Sequence, residues 1–156
     1  ELNEAMEELK IQSKLNKAYT IDEVRDKMIN GAAAIGVIYS GEYLYCQEEN
    51  EDLEYVIPKE GTNIWYDGWV ITKGSENVEN AHKWIDFLCS QEAAYDNFEY
   101  IYYGTPNIAA QELIDEDIIN NPGVFPDEET IEKCEVYNYL GEEAEDMYYE
   151  LWKKVK

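Results

Sequence analysis

Aromatic residues near chain-turning or acidic residues are the part of this sequence best suited to ligand chemistry. Tyr39, Trp65, Tyr103 and Tyr137 each stand at the expected end of a strand or helix, where open α/β folds commonly place their binding residues. An aromatic ring face attracts an organic cation by roughly 0.5–2 kcal/mol. A nearby carboxylate holds an ammonium group through charge-assisted hydrogen bonds. The residue types therefore suit an organic ammonium ligand, although each aromatic residue alone also suits an ordinary core position.

The overall charge favours a cationic partner. The 156 residues contain 35 acidic and 12 basic side chains, which gives a net charge of -23, and Arg25 is the only arginine. Such a field repels phosphate backbones and anionic lipid surfaces and attracts cations. It disfavours a nucleic-acid partner, and it is also compatible with a role in solubility alone.

The sequence lacks the catalytic motifs of most enzyme classes. His82 is the only histidine, and the sequence contains no nucleophile elbow, phosphate loop or dinucleotide-binding glycine motif. Cys46, Cys89 and Cys134 are far apart and have no metal-site spacing. No catalytic residue, metal or cofactor is predicted. A hydrolase that uses a pair of carboxylates stays open, because sequence spacing does not reveal the distance between two acids.

The elements that must position these residues alternate between helices and strands, which indicates an α/β fold. Alternation along the predicted strand 63–72 places Trp65, Asp67 and Trp69 on one face. The first acids of 127–129 suit a helix N-terminus, and Gly31 suits a helix end. Helices are predicted over 2–15, 20–31, 75–88, 91–100, 108–114 and 142–156, and strands over 32–38, 53–57 and 63–72.

Two of these helices carry apolar stripes that predict buried faces. The stripe of the predicted helix 75–88 consists of Val78, Ala81, Trp84, Ile85 and Leu88. The stripe of the last helix consists of Ala144, Met147, Tyr148, Leu151 and Trp152.

Several motifs in a fixed order resemble one protein family. The segment 58–67 reads PKEGTNIWYD, 81–94 reads AHKWIDFLCSQEAA, 103–110 reads YGTPNIAA and 125–131 reads FPDEETI. Together with 18–28 and 31–42 upstream, they are similar in order and spacing to the spermidine/putrescine-binding proteins of ABC importers. The resemblance runs over nearly the whole chain, whereas each motif alone is weak.

The resemblance implies a role for each matching residue. Trp65 and Tyr103 would stack on a polyamine chain, and Asp67 would pair with an ammonium group. Tyr39 falls where the family has an aromatic wall. Glu42 falls where some members, particularly putrescine binders, have a second acid.

Two positions leave the identity of the ligand open. Tyr137 matches a position that spermidine binders often fill with glutamine, so the preferred polyamine is not predicted. The adjacent Tyr102 and Tyr103 resemble the tyrosine pair of ferric-ion-binding relatives, which makes ferric ion or another cationic solute the alternative ligand.

The resemblance also implies the architecture and location. Family members have a periplasmic-binding-protein-like (type II) fold of two α/β lobes that close on the ligand. Residues 1–65 and 111–156 would form much of the second lobe, and 66–110 would cross to the first, so an N-terminal part with its targeting signal is expected before Glu1. The implied protein is a non-enzymatic, periplasmic or cell-surface component that meets permease subunits and reaches the membrane only through the transporter or a lipid anchor.

Overall fold

The computed structural model describes residues 1–155 and divides them into two compact units. The first unit contains residues 1–23 and 137–155, and the second runs from Val24 to Val136. The helices are α1 (Leu2–Gln12), α2 (Glu23–Ile29), α3 (Ser40–Glu49), α4 (Val78–Leu88), α5 (Gln91–Ile101), α6 (Ile108–Gln111), α7 (Glu116–Ile119), α8 (Glu128–Glu132) and α9 (Glu142–Trp152). The strands β1 (Asn63–Ile64) and β2 (Glu135–Val136) pair in parallel, with Asn63 opposite Glu135.

The core of the second unit brings α3 and α5 together. Phe98 on α5 is only 1% exposed and belongs to one buried cluster with Tyr43 and Leu44 of α3 and with Ile114 and Val124. Burying side chains of this size contributes roughly 1.5–3 kcal/mol each before the entropic cost of ordering them. The cluster therefore fixes the N-terminal end of α3 relative to the C-terminal end of α5.

The first unit rests on the packing of α1 against α9. The Tyr19 and Trp152 rings meet edge to face with centroids 5.1 Å apart. Leu2, Met6 and Leu151 line an apolar groove that the two helices share.

Two predicted helix ends are confirmed, one at Asp127 and one at Gly31. Asp127 precedes α8, and its carboxylate accepts a hydrogen bond of 2.8 Å from the Thr130 amide. This contact satisfies one of the amides that every helix leaves unpaired at its start. Gly31 follows α2 with φ +68°, a conformation that glycine adopts without steric cost.

The predicted strands are mostly wrong. Segments 32–38 and 53–57 form no strand in the described chain, and only Asn63–Ile64 of the predicted strand 63–72 is paired. Ile35 and Val37 are 91% and 97% exposed, and no residue of the apolar run 32–38 is buried. A strand needs a neighbour to satisfy its backbone groups, and within residues 1–155 these segments find none.

Helix α3 is a further correction, because no helix is predicted from the sequence between the strands 32–38 and 53–57. The chain is helical there from Ser40 to Glu49. Glu48 and Glu49 belong to its last turn, and glutamate is a good helix former. Tertiary packing of Tyr43 and Leu44 decides for the helix.

The two predicted apolar stripes are also not buried. Every residue of α4 and of α9 is at least partly exposed, including Trp84 at 52% and Met147 at 46%. The helices themselves are confirmed, with α4 beginning at Val78 after Asn77 rather than after Ser75. An amphipathic stripe indicates which face can be covered, but it does not supply the covering surface.

Candidate functional site

Three predicted aromatic residues meet in the second unit. The Trp65 ring lies between Tyr39, at a centroid distance of 5.1 Å and 71°, and Tyr103, at 6.0 Å and 67°. We call Tyr39, Trp65 and Tyr103 the aromatic cluster. Edge-to-face pairs of this kind are worth about 0.5–1.5 kcal/mol beyond the area they bury. Tyr39 and Trp65 remain 50% and 38% exposed, so parts of their rings stay accessible to a ligand.

Helix α3 positions one side of the aromatic cluster. Tyr39 is the N-cap residue of α3, and Gly41 is buried in the first turn. A Cβ atom at Gly41 would overlap the ring of Tyr103 and would lie 2.8 Å from the carbonyl oxygen of Ile101. Glycine is therefore required here because the Tyr103 ring lies directly on the helix backbone.

The turn after α5 positions Tyr103. Tyr102 caps α5 in the left-handed conformation, with φ 60°, which is uncommon for a residue other than glycine. Its hydroxyl donates to both carboxylate oxygens of Glu48 at 2.8 Å. This bond joins the turn to the C-terminal end of α3 and offsets part of the cost of the left-handed backbone.

Hydrogen bonds also fix the chain that follows Tyr103. The Asn107 side chain accepts from the Ala110 amide at 3.1 Å and donates to the carbonyl oxygen of Cys89 at 2.8 Å. The Gln111 side chain donates to the carbonyl oxygen of Thr105 at 2.7 Å. The segment 103–110 is thus held by hydrogen bonds within itself, to Gln111 and to Cys89 at the end of α4.

The electrostatics of the aromatic cluster keep Tyr103 neutral. Burial first, then the negative charge of Glu42, and then further neighbours including Asp67, raise the pKa of Tyr103 to about 12. Each of these effects disfavours the phenolate. Tyr103 therefore offers a ring face and a neutral hydroxyl, and both predicted carboxylates lie near enough to act on it.

The two carboxylates differ in their own contacts. Asp67 is exposed, and its carboxylate forms no hydrogen bond or ion pair within residues 1–155. Glu42 forms an ion pair with Arg25, with 3.3 Å between Glu42 Oε2 and Arg25 Nη1. Sequence reasoning missed Arg25 as a site residue; the available signal was that this acidic chain has only one arginine.

The remaining predicted residue, Tyr137, belongs to the first unit. Its side chain is 80% exposed. Its role beside the aromatic cluster stays a prediction.

Within 1–155, no group of three or more histidine, cysteine, aspartate or glutamate residues is arranged to hold a metal ion. None of the helices in the same range has the length and apolar character needed to cross a membrane.

Residues 7–126 match the sequence family described as bacterial extracellular solute-binding protein. The chain belongs to this family. This match confirms the resemblance predicted from the sequence motifs. Over its whole length, the chain is 33% identical to the spermidine/putrescine-binding periplasmic protein of Salmonella typhimurium and 32% identical to that of Escherichia coli. The chain spans 44% of each of these relatives.

Solved structures of solute-binding proteins confirm the predicted α/β, periplasmic-binding-protein-like fold. A putative spermidine/putrescine ABC transporter protein from Listeria monocytogenes superimposes with a TM-score of 0.86 at 38% identity, and covers 99% of this chain. The spermidine/putrescine substrate-binding protein PotD of Streptococcus pneumoniae also gives 0.86, at 36% identity and 98% coverage. These matches take up 49% and 47% of the two solved chains, so this chain corresponds to about half of each.

Proposed function

We propose that this chain is part of the extracytoplasmic solute-binding component of an ABC importer and that it binds polyamines such as spermidine or putrescine. The observation that carries the proposal is the aromatic cluster with the unpaired carboxylate of Asp67 close to it. Partly exposed rings and a free carboxylate are the combination that binds an organic ammonium ion. The names of the similar proteins point to the same ligand class.

Each site residue has a proposed role. The ring of Trp65 stacks on the methylene chain, and Tyr103 covers it from the side of α3 and offers its neutral hydroxyl. Tyr39 forms the outer aromatic wall. Asp67 pairs with one ammonium group, and Glu42 lies where a second ammonium group would be held.

No chemical step is part of this proposal. The similar proteins are named as binding proteins, and the ligand is released unchanged to permease subunits. The periplasm or the cell surface is the proposed location, with a lipid anchor or the transporter as the only link to the membrane. Residues 1–65 and 111–156 are proposed to form much of the second lobe, with 66–110 crossing to the first, and Tyr137 is proposed as a further ligand-binding residue.

The contacts of Tyr102 and Tyr103 support a polyamine over ferric ion. A ferric site built on this pair needs both hydroxyl oxygens on one ion. The Tyr102 hydroxyl instead donates to Glu48, whereas the Tyr103 ring packs against Trp65 and the backbone of Gly41. The two side chains thus have separate partners, and the ring of Tyr103 suits stacking on an organic cation.

Calorimetric titration of spermidine, putrescine and ferric citrate into the natural full-length protein tests the proposal. We expect Trp65→Ala to weaken polyamine binding about a hundredfold, because a central aromatic anchor is lost. Asp67→Asn should weaken it about thirtyfold, because a charge-assisted hydrogen bond becomes a neutral one.

Matched controls come from outside the aromatic cluster. Trp69 is 70% exposed and Asp86 is exposed on α4, so Trp69→Ala and Asp86→Asn should change the dissociation constant by less than about threefold. A folded wild-type protein that binds no polyamine, or test variants that behave like these controls, would contradict the proposal.

A further inference from the structure

The single arginine of the chain lies against the candidate site. Helix α2 carries Arg25 and is tied to α3 by two side-chain contacts, from Cys46 Sγ to the carbonyl oxygen of Arg25 at 3.9 Å and from Asn50 to the carbonyl oxygen of Ile29 at 3.1 Å. The Arg25 guanidinium is thereby held beside the first turn of α3, where it pairs with Glu42.

Glu42 is close to the aromatic cluster. The preceding residue, Gly41, touches the Tyr103 ring. The charge of Glu42 is the largest electrostatic contribution to the raised pKa of Tyr103, ahead of that of Asp67. A polyamine that stacks on Trp65 and Tyr103 would therefore meet two carboxylates, and one of them already has a partner.

The Arg25–Glu42 pair has the geometry of a displaceable contact. It consists of one contact of 3.3 Å rather than the two parallel contacts of a bidentate pair, and the two side chains are 39% and 33% exposed. Arg25 Nε is buried, and it finds no hydrogen-bond partner among residues 1–155. The guanidinium carbon also lies 4.6 Å from the centre of the Tyr45 ring. This cation–π contact can hold Arg25 after Glu42 is taken.

We propose that Arg25 sets the charge selectivity of the site by competing, as an internal cation, with a ligand ammonium group for Glu42. The inference rests on the proposed polyamine function. Asp67 is free to take the first ammonium group. A second ammonium group gains Glu42 only by displacing Arg25, and the displaced guanidinium then stays nearby and repels it. Arg25 therefore lowers the advantage of a dication over a monocation of the same length.

The test compares two ligands of matched length in the full-length protein. Putrescine carries two ammonium groups, and 4-amino-1-butanol replaces one of them with a hydroxyl group. We expect Arg25→Gln to tighten putrescine binding about tenfold, or about 1.4 kcal/mol, and to change 4-amino-1-butanol binding by less than about threefold. Arg25→Lys keeps a cation and should preserve the wild-type ratio of the two affinities.

Two further variants identify the cause. In Arg25→Gln with Glu42→Gln, the gain for putrescine should disappear, because the carboxylate that it depends on is absent. Arg25→Met keeps an unbranched apolar stem against Tyr45 and removes the charge, so it should also tighten putrescine binding about tenfold. It replaces Arg25→Gln in the test if circular dichroism shows that the glutamine variant folds poorly.

The outcomes separate this inference from the function on which it rests. If the wild type binds putrescine but Arg25→Gln and Arg25→Met weaken both ligands equally or change neither, Arg25 only orients Glu42 and the inference is overturned. If the folded wild type binds no polyamine, the proposed function itself fails. A rise in the putrescine preference that requires Glu42 supports both.

Discussion

The two sides of the candidate site are built in different ways. On one side, Glu42 and Tyr103 are fixed by α3, α5 and the buried cluster around Phe98. On the other side, Trp65 and Asp67 follow the short strand Asn63–Ile64 in a stretch without regular secondary structure, and the Trp65 ring packs against the rings of Tyr39 and Tyr103. We call these the fixed side and the open side. The fixed side holds Glu42 in an ion pair with Arg25, whereas the Asp67 carboxylate on the open side has no partner within residues 1–155.

A pair of glycine substitutions tests this difference most strongly. Gly41→Ala inserts a Cβ atom into the space of the Tyr103 ring on the fixed side. We expect a loss of about 1–3 kcal/mol in the free energy of unfolding, because overpacked sites must distort, and weaker polyamine binding because Tyr103 moves. Urea denaturation and calorimetric titration measure the two effects.

Gly68→Ala is the matched control on the open side. A Cβ atom at Gly68 meets nothing within 4 Å in the described chain. The free energy of unfolding should therefore stay within about 0.5 kcal/mol of the wild type. Equal destabilisation by the two substitutions would mean that the two sides do not differ in packing.

A smaller effect is expected from the bond that joins Tyr102 to Glu48. Tyr102→Phe removes the hydroxyl that donates at 2.8 Å and leaves the ring in place. Because the bond is exposed, we expect a loss of about 1 kcal/mol in the free energy of unfolding. If the turn orients Tyr103, polyamine binding should also weaken a few-fold, which corresponds to about the same free energy.

The control for this change is Tyr100→Phe, since Tyr100 is on the same helix and is 86% exposed. It should leave both thermal unfolding and binding unchanged. If the two phenylalanine variants behave alike, the bond to Glu48 does not hold the turn, and the fixed side depends on core packing alone.

The last expected effect appears only at alkaline pH. The pKa of Tyr103 is raised from 10.0 to about 12 in the folded chain, so the folded state keeps a proton that the unfolded state releases. The stabilisation is present below the unfolded value and is lost as pH rises toward the folded value. Between these two values, the free energy of unfolding should fall less with pH in Tyr103→Phe than in the wild type.

Chemical denaturation at stepped alkaline pH measures this slope. Tyr66 is 74% exposed and lies on the open side, so Tyr66→Phe should retain the wild-type slope. Identical slopes for wild type and Tyr103→Phe would show that the fixed side does not shield the Tyr103 hydroxyl.

The sequence predicted the aromatic residues of the candidate site better than it predicted the secondary structure around them. Tyr39, Trp65 and Tyr103 were named from residue type and motif order, and they do meet. The strand predicted at 32–38 was wrong, because an apolar run states only that a segment can be buried. Arg25 was missed, because nothing along the sequence indicates that a residue on α2 will reach Glu42 on α3.

The sequence by itself determined the family, the helix caps at Gly31 and Asp127, and the residue types of the proposed cation site, since these depend on local backbone preferences and on motif order. Only the tertiary structure decided that Glu42 pairs with Arg25 and that Asp67 has no partner within residues 1–155. Contacts between distant residues depend on how the helices pack, and the packing is set by the whole buried cluster rather than by any one segment.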